Sequence, residues 1–322
     1  MLSPITIVIP ICNRAHIVGR TLDSVAAQTV APARIVIVDN NSTDTSLSVV
    51  RDWASGRSNV TVLSESTSGA CAARNRGLQA VTSEWTMFFD SDDIMAPRHV
   101  EDFTRAIYGH PDADVIGRDI YLHSLDGSRR RLYFHGDGDP MFHHLFRASL
   151  SSQRYIARTN LFREAGGWNE SLTGWNDYEL GVRILLRSPR ILTLGGEPTV
   201  SAIQQEQSIT GLSFSAHPER WERSLQAIHD TFRSLPPATA SRAQYMRWLD
   251  ARAMILAARY ESEALTASRR SDRESARRAH ALSLNLRHSV ISRTDAPRRM
   301  KMIYLHNLRL HRFTWLLARV LL

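Results

Sequence analysis

Only two of the 322 residues are cysteine, Cys12 and Cys71. Two thiols cannot staple a chain of this length, so a disulfide framework is excluded and a reducing compartment is expected. No run of 18 consecutive apolar residues occurs, which argues against a membrane-spanning helix. No charged segment followed by an apolar stretch and a cleavage site precedes the strand-like Ile5 to Ile9, so secretion is not expected and the cytoplasm is. Internal repeats and low-complexity tracts are also missing. What remains is an ordinary globular composition, 43% apolar and 22% charged, in a chain of about two domain lengths.

The net charge of +8 resembles a nucleic-acid footprint until it is mapped along the chain. Residues 1–240 hold 23 Arg against 26 Asp plus Glu, a balance of −3, and residues 241–322 hold 17 Lys plus Arg against 6 acids, a balance of +11. The basicity therefore belongs to an appendage, and nucleic acid is not expected as a partner.

The first 120 residues alternate β-branched apolar runs (Ile5 to Ile9, Ile35 to Val38, Val60 to Leu63, Trp85 to Phe89) with helical patterns. That alternation predicts an α/β domain with a mostly parallel sheet flanked by helices. A further helix is expected from Tyr178 to Leu186, stopped by Pro189. After Pro236-Pro237 the chain turns to Ala, Arg and Leu with almost no Gly, which predicts a helical C-terminal extension over 236–322 behind a domain of 1–235.

Polar segments follow each strand, at the carboxyl edge where open parallel sheets place their ligands. They are Pro10-Ile11-Cys12-Asn13-Arg14, Asp39-Asn40-Asn41-Ser42-Thr43-Asp44, Gly69 to Leu78 with Arg74-Asn75-Arg76-Gly77, and Asp90-Ser91-Asp92-Asp93. Two carboxylates one residue apart at a strand end form a hard-oxygen site suited to Mn2+ or Mg2+, completed by phosphate oxygens and water. An Asx turn or helix cap is the alternative for the same residues. Arg74, near a helix N-terminus, suits an anion, whereas Arg76 points elsewhere to solvent or an ion pair, and Gly77 is a packing glycine.

Taken together and in order, these motifs resemble glycosyltransferase family 2 with the GT-A, Rossmann-like fold, over roughly residues 4–212, which implies a nucleotide-binding half of about 1–115 and an acceptor half of about 116–235. The resemblance implies that a nucleotide diphosphate sugar contacts Pro10, Asn13, Asp39, Asn40, Arg74 and Asp90, with Asp92 as metal ligand. Asn40 stands where many members carry an acid that accepts from uracil. Its neutral carbonyl can still accept, and UDP remains the first choice, ahead of dTDP and GDP. In Gly174-Trp175-Asn176-Asp177-Tyr178-Glu179, Asp177 matches the general base of an inverting transfer and Glu179 is the back-up. Capping of the following helix is the other reading of Asp177. Trp168 and Trp175 are candidate acceptor platforms or core anchors. Gln205, three residues before Ser208-Ile209-Thr210, occupies the place of a metal-completing His.

His135, His143 and His144 are expected in a surface or acceptor loop rather than at a second metal, and Arg129 to Arg131 at a hairpin tip. From Arg298 onward Ile303, Leu310, Phe313, Leu317 and Val320 recur at helical steps among Arg and Lys. This predicts a basic amphipathic helix for an anionic membrane surface, where lipid-linked acceptors reside, or for packing within the molecule or an oligomer. The expected function is inverting, metal-dependent transfer from a UDP-sugar to a glycan or lipid-linked acceptor in polysaccharide or glycoconjugate synthesis, at the inner membrane face. A non-catalytic nucleotide-sugar or glycan-binding protein on a degenerate GT-A fold is the alternative. A nucleotidyltransferase is disfavoured because Pro10 to Arg14 holds no Gly-rich phosphate loop.

Overall fold

The computed structural model describes residues 2–205, 213–310 and 313–322. The chain divides into two compact units at Ser208/Ile209, with Leu145–Arg147 grouped with the second. In the first, β1 (Ile5–Ile11), α1 (Val18–Ala26), β2 (Arg34–Asp39), α2 (Ser46–Ala54), β3 (Val60–Ser64), α3 (Ala70–Ala80) and β4 (Trp85–Phe88) alternate as the apolar runs predict. Next come β5 (Ile94–Met95), α4 (His99–Gly109), β6 (Val115–Arg118), β7 (Ile120–His123), β8 (Arg129–Leu132) and α5 (Pro140–Arg147). The last elements are β9 (Tyr155–Arg158), α6 (Thr159–Glu164), α7 (Asn176–Leu185), β10 (Ile191–Leu194) and β11 (Val200–Ile203).

Seven strands form one sheet in the order β10-β6-β9-β4-β1-β2-β3. All its pairs are parallel except those of β9, which runs antiparallel to both β4 and β6. The β-branched strands are buried on both faces, as a helix-covered parallel sheet requires. Ile5, Ile7, Ile9, Ile35 and Ile37 pack on one side, and Val8, Val36, Val38 and Phe88 on the other. A smaller sheet, β5-β11-β7-β8, stands beside it.

Two local expectations change. Arg129 to Arg131 are not a hairpin tip: they form β8 itself, paired to β7, and Gly127 with φ 78° makes the turn. Arg131 is held there by Asp119 at 2.7 Å. The adjacent histidines diverge as expected, yet His144 is a core residue. Its Nδ1 accepts from the Leu150 N–H at 3.1 Å and its Nε2 meets the Tyr178 carbonyl at 2.8 Å. Burial pushes its pKa down to about 4, so this ring is neutral and donates from Nε2.

The second unit is helical: α8 (Pro218–Ser234), α9 (Arg242–Arg269), α10 (Arg273–Arg293), α11 (Pro297–Leu310) and α12 (Thr314–Leu321). Its α8, which precedes Pro236-Pro237, packs on α9: the Phe232 ring lies 5.3 Å from Tyr245, and the Tyr260 hydroxyl donates to Glu222 at 3.0 Å. The expected C-terminal amphipathic helix is two helices rather than one, and Ile303 is buried while Leu310, Phe313 and Val320 are exposed. No helix of the described residues is long and apolar enough to cross a membrane.

Candidate active site

The carboxyl ends of β1, β2 and β4 are neighbours in the sheet, so the loops that follow them meet at one edge. The first two are interlocked. Asn13 takes φ 53°, and its Oδ1 accepts from the N–H groups of Thr43 at 2.7 Å and Asp44 at 3.3 Å. In return the Asn13 N–H donates to Ser42 Oγ at 3.1 Å and the Ala15 N–H to Asp44 Oδ2 at 3.2 Å. Pro10, one residue before the end of β1, pairs with Val38.

Asp39 ends β2, 5% exposed, and its Oδ1 has no hydrogen-bond partner. A buried carboxylate oxygen left unpaired is costly, and a donor from a bound molecule would relieve it. Asn40 beside it is fully engaged. Its Nδ2 donates to the carbonyls of Glu65 (3.0 Å) and Thr67 (2.7 Å), and the Gly69 N–H donates to its Oδ1 at 2.7 Å. One amide therefore latches the end of β2 to the loop that opens α3.

Arg74 projects from α3 into the acidic loop. Its Nη2 donates to Asp90 Oδ1 at 2.8 Å, and its guanidinium lies 4.5 Å above the Trp168 ring. Nε and Nη1 are buried without acceptors, so this cation keeps unused donors at the site. Gln153 Nε2 donates to the other Asp90 oxygen, leaving that carboxylate braced from both sides. Asp92 is opposed more loosely, by Arg14 at 3.8 Å. Burial and the charge of Asp90 push the Asp92 carboxyl up, against the pull of Arg14. Asp93 is buried and accepts from the Ile203 N–H at 2.9 Å, tying the acidic loop to β11, the strand that leads to Gln205.

On the acceptor side, Trp175 adopts φ 47° and turns the chain into α7. Asp177 lies in the first turn, and its Oδ1 accepts from the Tyr178 N–H at 2.8 Å. Burial raises its carboxyl, with Arg74 and Arg154 opposing and Asp90 reinforcing the shift. Arg74 is thus paired with Asp90 and close enough to Asp177 for its charge to be felt there. Glu179, the back-up base, is committed elsewhere: 2% exposed, it makes a two-point ion pair with Arg183 at 2.7 and 2.6 Å. Trp168 is 2% exposed, edge-on to Phe88 at 5.0 Å and beneath Arg74, which is the core-anchor alternative. Trp175 is partly exposed, 5.6 Å from the Tyr178 ring. Ser208-Ile209-Thr210 lies outside the described residues.

Residues 6–164 match the model of glycosyl transferase family 2. The chain belongs to that family. Glycosyltransferase GlyA of Streptococcus pneumoniae serotype 4 is 29% identical over 142 residues, 44% of this chain and 20% of that protein. The match thus spans only a fifth of the pneumococcal protein. The PGL/p-HBAD biosynthesis glycosyltransferase of Mycobacterium tuberculosis (strain H37Ra) is 26% identical over 190 residues, 58% of this chain and 72% of that one. Among solved structures, Staphylococcus aureus TarS residues 1–349 in complex with UDP-GlcNAc has TM-score 0.59 at 19% identity, covering 90% of this chain and 92% of that one. The mannosyltransferase PcManGT from Pyrobaculum calidifontis, in complex with GDP-Man and Mn2+, has TM-score 0.54 at 16% identity, covering 99% and 87%. At such identities these two structures establish the GT-A fold alone.

In this family 2 glycosyltransferase the motif residues Asp39, Arg74, Asp90, Asp92 and Asp177 belong to one carboxyl-edge neighbourhood. Sequence reasoning missed Gln153 and Arg154. Both lie in a 3-10 turn, Ser152–Arg154, that feeds β9. Arg154 is buried, within hydrogen-bonding reach of the carbonyls of Ala148 (3.3 Å) and Tyr133 (3.4 Å), and burial pulls its pKa down to about 10. The signal was positional: an antiparallel strand starts at the edge where its parallel neighbours end, so residues just ahead of Tyr155 reach the site.

Proposed function

We propose that this family 2 glycosyltransferase moves a sugar, with inversion, from a nucleotide diphosphate sugar to the hydroxyl of a glycan or lipid-linked acceptor, the latter at the inner membrane face. What supports this reading is the group Asp90, Arg74 and Asp177: a braced carboxylate, a buried cation with unused donors that feels both charges, and a second carboxylate whose burial raises its proton affinity. Asp177 takes the proton from the attacking hydroxyl. Arg74 offers its spare N–H groups to the departing diphosphate, and Asp39 accepts from the nucleoside through its unpaired oxygen. A UDP-sugar is the first choice of donor, in keeping with the UDP-GlcNAc bound by TarS. Trp175 is the platform on the acceptor side.

The residues also fit a divalent ion. Asp92 has a hard carboxylate under-compensated by Arg14, and Gln205, with an amide Oε1, follows the strand that Asp93 ties to the same loop. Among the described residues no three His, Cys, Asp or Glu converge into a metal cage, so Mn2+ or Mg2+ here would complete its shell with diphosphate oxygens and water. When bound, such an ion neutralises charge on the leaving group. Asp177→Asn tests the base. Turnover should fall by about 10²–10⁴-fold while calorimetry shows unchanged UDP affinity. Retained turnover would remove Asp177 from the mechanism, and absence of turnover in the parent protein with nucleotide binding intact would favour a binding module.

A further inference from the structure

The last acidic residue of the chain is Asp295, and the 27 residues after it carry six Arg or Lys. Twelve large apolar side chains stand exposed among the described residues, and six of them fall in this same stretch: Met302, Leu305, Leu310, Phe313, Leu316 and Val320. Phe313 is 64% exposed and Val320 76%, values that water alone does not reward.

The helices are anchored by their other faces. Met300, Ile303, Tyr304 and Asn307 of α11 are buried within the helical unit, as are Thr314 and Ala318 of α12. Asn307 Nδ2 donates to Thr314 Oγ1 at 3.1 Å, fixing the two helices to each other. At 100° per residue, Arg298, Met302, Leu305 and Arg309 project on the side of α11 opposite the buried row. On α12, Leu316 and Val320 do the same. Among the described residues, the outward surface of α11 and α12 thus mixes apolar groups with cations and carries no Asp or Glu.

We propose that the outward faces of α11 and α12 dock on an anionic lipid surface, lying in its plane. Charge complementarity selects this occupant. A second copy would bring the same cations, Arg298 and Arg309, against one another, and a nucleic acid would neutralise the arginines but leave Leu305, Phe313 and Val320 in water. Anionic lipid satisfies both chemistries, cations at the headgroups and apolar side chains at the acyl boundary. The 8-residue α12 is far too short to cross, so contact is interfacial.

The test is co-sedimentation of the full chain, without donor, with vesicles of phosphatidylcholine alone or mixed with phosphatidylglycerol. Expected is binding at least about tenfold tighter to the mixed vesicles and weakened by salt. Arg298→Glu/Lys301→Glu/Arg309→Glu should lose about a hundredfold or more, and Leu305→Ser/Phe313→Ser/Val320→Ser about tenfold or more. All six side chains are exposed, so circular dichroism should show parent-like melting for both variants. No vesicle binding, equal binding to neutral vesicles, or variants that bind like the parent overturns the proposal. So does a dimer in analytical ultracentrifugation that the serine variant dissociates, since the face would then be an interface between copies.

Discussion

At the scale of single residues, the site is governed by how burial and charge are divided among its acids. Asp90 is braced by Arg74 and Gln153, whereas Asp177 is half-buried with weaker compensation and its carboxyl is raised. A base must be ionised to act, so kcat should decline as pH falls through this raised pKa, at a pH above the ordinary carboxylate range near 3.9. Stability runs the other way for this group. Its folded pKa lies above its unfolded one, so the ionised form weakens the fold above the folded pKa and protonation relieves it. A pH–rate profile measured beside thermal melts checks both signs, and an acid limb at the ordinary carboxylate value would show Asp177 to be unperturbed. Sequence patterns marked the Asp90-Ser91-Asp92 and Asn176-Asp177 motifs because they sit at element ends. They could not reveal that both Asn40 amide hydrogens go to carbonyls of the loop before α3, a pairing across 25 and 27 residues.

At the scale of elements, strands and helices of the first hundred residues were legible because the apolar periods switch cleanly between two and 3.6. Val60 to Leu63 was read to within one residue of β3. The reversed direction of β9 was not legible, since Tyr155 to Ala157 is equally apolar whichever way it runs. Gly77 shows how closely α3 approaches the sheet: a Cβ there would sit 2.3 Å from Val8 Cγ1 and 3.3 Å from Val38 Cγ2. Gly77→Ala should therefore destabilise by about 1–3 kcal/mol through overpacking in urea unfolding. A loss below about 0.5 kcal/mol would mean that the two valines yield without strain.

For the whole molecule, ligand binding is the readout that joins these parts. Anything bound to the native state alone raises its melting point, by about 2.7 kcal/mol at a hundredfold excess over Kd. For 150–250 residues melting together this is ~5–10 °C. UDP with Mn2+ or Mg2+ should produce such a shift, larger than with dTDP, GDP or CDP, and Asp92→Ala should abolish the metal-dependent part. An equal shift without metal, or in the variant, would remove the ion from donor binding. The break between α11 and α12 was invisible in the sequence because the apolar positions from Ile303 to Val320 keep helical steps across it.

The reversed strand has one more consequence. Asp90 follows β4, yet β9 brings the chain back to the same edge 63 positions later, at Gln153. The stretch between β7 and β9 thus leaves the seven-stranded frame and rejoins it. Phe134, His144 and Leu150 key that excursion into the core, so a change in its length would be felt in the packing behind this edge as well as at the surface.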